Sequence, residues 1–118
     1  MLKIDKLTKK FGGLAAVNDV STVIEEGKIN AIIGPNGAGK TTFFNLISSM
    51  HKPTSGTITF NGQDVTSLRP DQVAKLGVAR TFQATSLFDK ASVLDNLIVG
   101  HRLRTHSGLW DVLRGSSR

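Results

Sequence analysis

Gly34-Pro35-Asn36-Gly37-Ala38-Gly39-Lys40-Thr41 fills every fixed position of G-x-x-x-x-G-K-[ST]. This pattern constrains the fold because it works only between an extended segment and a helix. The preceding residues 28–33 (Lys-Ile-Asn-Ala-Ile-Ile) read as a short buried strand. After the loop, Phe43, Phe44, Leu46, Ile47 and Met50 recur at helical spacing and predict a helix over 40–50. Glycines let such a loop curl with its N–H groups turned inward as an anion-binding nest. The helix that follows adds the partial positive charge of its N-terminus. Lys40 adds a full charge for β- and γ-phosphates, the Thr41 hydroxyl is a Mg²⁺ ligand, and Thr42 adds a hydroxyl contact. Gly34, Pro35, Asn36, Gly37, Ala38, Gly39, Lys40, Thr41 and Thr42 are thus the candidate phosphate-binding residues.

Glycine and proline divide the rest of the chain. Residues 2–8 alternate as a half-exposed strand, Gly12-Gly13 turns the chain, and residues 15–24 form a second strand with Val17, Val20 and Val23 inward. Residues 53–56 end the helix; residues 57–60 and 63–65 are strands around the Asn61-Gly62 hairpin turn. Pro70 opens a short helix to Leu76, stopped by Gly77, and residues 78–82 read as a strand. Ser92 is an N-cap with Asp95 at the third position. Leu109, Trp110 and Leu113 mark one side of a helical turn in the basic tail.

At 118 residues the chain suffices for one small domain. The absence of cysteine excludes disulfides and thiolate metal sites and fits a reducing cytosol. No apolar run reaches membrane-spanning length and the N-terminus has no apolar leader core, so any membrane association is expected to go through a partner. The net charge of +6 suits an anionic surface as well as it suits unpaired surface Lys and Arg. Four arginines lie between His101 and Arg118, but Trp110 stands alone there, without the aromatic interleaving that stacks bases, and no nucleic-acid partner is expected. On pattern alone, Phe11 reads first as a core or edge ring and second as a ring able to stack on adenine. Gln83 likewise reads as a solvated loop residue or as one that contacts Mg²⁺ or orients water.

With these residues in view, the sequence resembles the ATP-binding subunit of ABC transporters. The resemblance rests on Gly34 to Thr42, on residues 53–58 and 60–62, on Arg80-Thr81-Phe82-Gln83 and on residues 92–97. Phe11-Gly12-Gly13-Leu14-Ala15-Ala16-Val17 and the Thr-Phe-Gln form are similar to branched-chain amino acid importers. The resemblance implies an α/β P-loop NTPase of the ABC ATPase type. Residues 1–118 would form the N-terminal part of one ATP-binding domain: an antiparallel β subdomain (1–27), the P-loop strand and helix (28–50), a continuation to the Q-loop (51–83) and the start of a helical subdomain (84–118), with an incomplete core sheet. It implies ATP and Mg²⁺ as ligands, Phe11 as the adenine-stacking ring, Val17 as a nearby apolar contact, and Lys40 and Gln83 in catalytic roles, with Thr41 and Gln83 at the metal. Implied partners are transmembrane permease subunits touching residues 84–90, a second ATP-binding subunit in a homo- or heterodimer and, indirectly, a periplasmic binding protein. The implied location is cytoplasmic, peripheral on the inner face of the membrane.

The sequence departs from that family in length. A complete domain of this kind is about twice as long, nearer the usual domain size. No signature motif, no hydrophobic run ending in Asp-Glu, no D-loop and no switch histidine are present; His51, His101 and His106 lie in other contexts. Hydrolysis is therefore expected only of a full-length dimeric parent, and the isolated chain is expected to be marginally stable. The alternatives are an inactive nucleotide-binding fragment and a non-transport ABC ATPase. A GTPase is disfavoured by the lack of an Asn-Lys-x-Asp element, and a nucleotide kinase by the Q-loop segment.

Overall fold

The computed structural model describes residues 1–82 and 87–101. Contacts divide the chain into two compact units, Met1–Arg80 and Thr81–Arg118. The expected helical turn in the basic tail lies outside the described residues, as do Gln83 and residues 84–86 of the expected permease contact.

In the first unit, β1 (Leu2–Phe11) and β2 (Leu14–Ile24) form an antiparallel hairpin that pairs Phe11 with Leu14 and Leu2 with Ile24. Gly12 turns the chain at φ 59°. A regular strand would send Ile4 and Leu7 to opposite faces, yet both are in the core. The ladder shifts register between them, where Lys6 has φ 48°, and the extra residue returns Leu7 to the buried face. In β2, Asp19 at φ 50° lies between Val17 and Val20 and keeps both inward. No irregularity separates Val20 from Val23, so Val23 faces outward and is 47% exposed, contrary to the expectation of three inward valines.

β3 (Ser55–Phe60) pairs antiparallel with β1, placing Ile58 opposite Ile4, and β4 (Gln63–Asp64) follows to give the order β2-β1-β3-β4. Asn61 and Gly62 at φ 47° and 83° make the turn with two positive φ values that Asn-Gly favours. Three helices complete the described structure: α1 (Lys40–Ile47) and α2 (Pro70–Lys75) in the first unit, and α3 (Val93–His101) in the second. Phe43 and Leu46 of α1 and Val73 of α2 join Ile4, Leu7, Val17, Ile58 and Val65 in one core.

Three expectations need correction. Residues 28–33 are not a strand: no described strand pairs with them, Ile29 is fully exposed and Ile33 is 92% exposed. An apolar β-prone run becomes a strand only beside a backbone that accepts its hydrogen bonds, and the described sheet offers none. Residues 78–82 lack a ladder for the same reason. Helix α1 stops at Ile47 rather than at residue 50, because Ser49 takes φ 57° and the Ser48 hydroxyl donates back to the Phe44 carbonyl oxygen at 2.8 Å. The helix consequently buries Phe43 and Leu46 and leaves Phe44 and Met50 exposed.

Candidate functional site

The loop before α1 is built around positive-φ glycines, Gly37 at 84° and Gly39 at 92°. Ala38 N–H donates to the Pro35 carbonyl oxygen at 3.2 Å, which tightens the curl. Gly39 is the N-cap of α1; it has no side chain to cap the helix, and the first turn carries no acidic residue. The N–H groups at this helix end are left for an external acceptor, with the helix dipole behind them. Lys40 bends back across the loop and its Nζ donates to the Gly34 carbonyl oxygen and, at 2.7 Å, to that of Pro35.

A cavity of about 380 Å³ opens here, lined by Asn36, Gly37 and Ala38 on the loop, Lys40, Thr41 and Thr42 on α1, and Leu14, Ala15 and Ala16 on β2. The structure thus brings Asn36, Gly37, Ala38, Gly39, Lys40 and both threonines to one place, while Gly34 and Pro35 lie outside the lining and accept from Lys40 Nζ through their carbonyl oxygens. It adds the start of β2, which sequence reasoning missed. The signal was the Gly12-Gly13 turn, which returns the chain alongside the end of β1. Among the described residues no carboxylate lines this cavity, so its electrostatics there come from Lys40 and the helix end.

Phe11 and Val17 are also absent from that lining. Phe11 is 47% exposed at the end of β1; Lys9 Nζ lies 5.1 Å from its ring centroid and the His51 ring 5.6 Å away at 73°. Val17 is in the core and lines an adjoining groove of about 430 Å³ between β2, residues 30–33 and α1, which shares Ala16, Ala38, Gly39 and Lys40 with the first cavity. Arg80 fastens the segment leading toward Gln83 to the end of α1: its Nη1 donates to Asn45 Oδ1 at 2.6 Å and to Ser48 Oγ at 3.0 Å. Among the described residues no group of three or more His, Cys, Asp or Glu side chains can hold a metal ion. An oxygen for a nucleotide-borne cation would come from Thr41. Among the described residues no helix is long and apolar enough to cross a membrane.

Comparison with known proteins agrees with this geometry. A family model described as ABC transporter matches residues 17–116. The high-affinity branched-chain amino acid transport ATP-binding protein LivG of Salmonella typhimurium is 44% identical over 113 residues, covering 96% of this chain and 44% of that protein. Among solved structures, the ATP-binding cassette MJ1267 of an ABC transporter aligns over 100% of this chain and 47% of its own, with a TM-score of 0.79 and 31% identity. The dimeric post-hydrolysis state of the cassette MJ0796, bound to ADP and Pi, aligns over 92% of this chain and 50% of its own, with a TM-score of 0.73 and 28% identity. The chain spans a little under half the length of the curated relative it matches. With the family model matching residues 17–116, most of its length, the chain belongs to the ABC transporter family.

Proposed function

We propose that this chain binds MgATP and is part of the energy-coupling subunit of an importer for branched-chain amino acids. The observation that carries the reading is the uncapped N-terminus of α1, with Lys40 folded across it and no acidic side chain lining the cavity. Two linked phosphates placed there meet N–H groups, a helix dipole and an ammonium, all of one sign. In this reading Gly34, Pro35, Asn36, Gly37, Ala38 and Gly39 wrap the phosphates, and Lys40 leaves its carbonyl acceptors for the β- and γ-phosphates. Thr41 and Gln83 serve the Mg²⁺, Thr42 contacts a phosphate, Phe11 stacks on adenine, and Val17 supplies the apolar wall behind Gly39.

The substrate assignment draws on LivG, a branched-chain amino acid transport ATP-binding protein at 44% identity. The partners follow from the same reading: permease subunits, a second ATP-binding subunit, and a place on the cytoplasmic face of a membrane. Binding without turnover is the second reading for the 118-residue chain. It is favoured by a cavity lining that, among the described residues, offers no carboxylate to activate a water.

Equilibrium titration of the chain with MgATP, beside Lys40→Ala, tests the proposal. Removing a charged donor from a phosphate is expected to weaken binding by about tenfold to a hundredfold. Equal affinities of the two proteins would overturn it.

A further inference from the structure

His51 is left unused by the phosphate site and lies just beyond the far end of α1 from it. Its N–H donates to the Asn45 carbonyl oxygen at 3.1 Å, fixing it to the end of α1. Its Nδ1 is buried and has no hydrogen-bond partner among the described residues. No hydrogen bond at Nδ1 orients the ring, which instead packs against Phe11, with centroids 5.6 Å apart and planes at 73°. Edge-to-face pairs of this geometry are favourable beyond the area they bury.

The loop that carries His51 is strapped to the end of β1 by three further bonds. Lys9 Nζ donates to the Lys52 carbonyl oxygen at 2.7 Å, Thr54 N–H to the Thr8 carbonyl oxygen at 2.8 Å, and Lys10 N–H to Thr54 Oγ1 at 3.0 Å. Lys9 reaches that carbonyl while lying over the Phe11 ring. A half-exposed phenylalanine on a hairpin tip would ordinarily sample several rotamers. Here the ring meets His51 edge-to-face and the Lys9 ammonium 5.1 Å from its centroid, and 47% of the residue remains exposed to a ligand. The same loop begins at α1, whose opposite end forms the phosphate nest. The ring and the nest are thereby held in fixed relation.

We infer that His51 is a positioning residue that holds Phe11 as a platform for the nucleobase, so that it contributes to affinity for the base and not for the phosphates. This rests on the MgATP reading above. The test compares two ligands, MgATP and magnesium tripolyphosphate, which share the phosphate chain and differ in the nucleoside. Each is titrated into the 118-residue chain and its His51→Ala, His51→Gln, His51→Phe and Lys40→Ala variants. His51→Ala and His51→Gln are expected to weaken ATP binding between about twofold and tenfold, the worth of one aromatic pair, and to leave tripolyphosphate unchanged. His51→Phe, which restores an aromatic ring, is expected to recover ATP affinity. Equal losses for both ligands, or no loss for either, would overturn the inference, as would wild-type protein that binds tripolyphosphate as tightly as ATP. Lys40→Ala should weaken both ligands. If it weakens neither, or if the wild-type chain binds neither, the phosphate-loop reading itself fails and the inference falls with it.

Discussion

Gly39 faces Ala16 so closely that a Cβ built on it would lie 2.1 Å from the Ala16 carbonyl oxygen. The obstructing atom belongs to the backbone of β2 and cannot rotate away. The φ of 92° at Gly39 adds a conformation that side chains resist. Contact and strain act together: the loop can lie against the hairpin in this conformation only because position 39 carries no side chain. Gly39→Ala should therefore destabilise the first unit by at least about 1–3 kcal/mol and remove MgATP binding. Urea denaturation alongside titration measures both, and wild-type stability in this variant would show that the contact does not hold the loop.

Leu46 and Phe44 lie two residues apart in α1 and are expected to respond oppositely to truncation. Leu46 is 1% exposed among Ile4, Leu7 and Phe43, whereas Phe44 is 46% exposed. Leu46→Ala should cost about 2–5 kcal/mol through lost transfer energy and the cavity left behind. Phe44→Ala should cost less than about 1 kcal/mol, since half of its surface already meets water. Denaturant midpoints of the two variants check the order, and a reversal would mean that the helix presents another face to the sheet.

Legibility in the sequence followed the range of the interactions. The phosphate loop is a local device: Gly34 to Thr41 fix their own turn and the start of α1, so both could be read from the chain alone. The Asn61-Gly62 turn and the start of α2 at Pro70 were legible for the same reason. The register shifts at Lys6 and Asp19 were not, because a bulge is decided by the partner strand, and they determine which of Leu7, Val20 and Val23 face inward. Residues 28–33 carry the pattern of a buried strand, but burial depends on what covers them, and composition cannot supply that. The roles of Leu14 to Ala16 and of His51 arise from chain crossings that local patterns do not encode.

Exposure of residues 28–33 has its own consequence. Ile33 is 92% exposed, so Ile33→Ser should change the stability of the chain by no more than about 0.5 kcal/mol. It should also lower self-association, because it removes an exposed apolar side chain from a segment that joins no described strand. Light scattering across a concentration series, read beside denaturation, separates the two effects. A loss of several kcal/mol would instead place Ile33 inside a packed core.

In the second unit, Ser92 and Asp95 close the start of α3 reciprocally. Ser92 Oγ–H and N–H donate to Asp95 Oδ2 at 2.6 and 3.2 Å, and Asp95 N–H donates to Ser92 Oγ at 3.1 Å. The side-chain bond from Ser92, and then its backbone N–H, hold the Asp95 carboxyl below its ordinary value. A depressed carboxylate binds its proton more weakly in the folded chain than in the unfolded one. Its contribution to α3 is therefore fully present above the ordinary aspartate range, about pH 3.9, and is lost as pH falls through the lower folded value. Ser92→Ala removes the hydroxyl that donates to the carboxylate and caps the Asp95 N–H. In that variant Asp95 should titrate closer to its ordinary value, and the start of α3 should lose amide protection even at neutral pH. Carboxyl-carbon NMR titration and hydrogen exchange read the two outcomes. An unchanged Asp95 titration in Ser92→Ala would mean that the cap is not what lowers it.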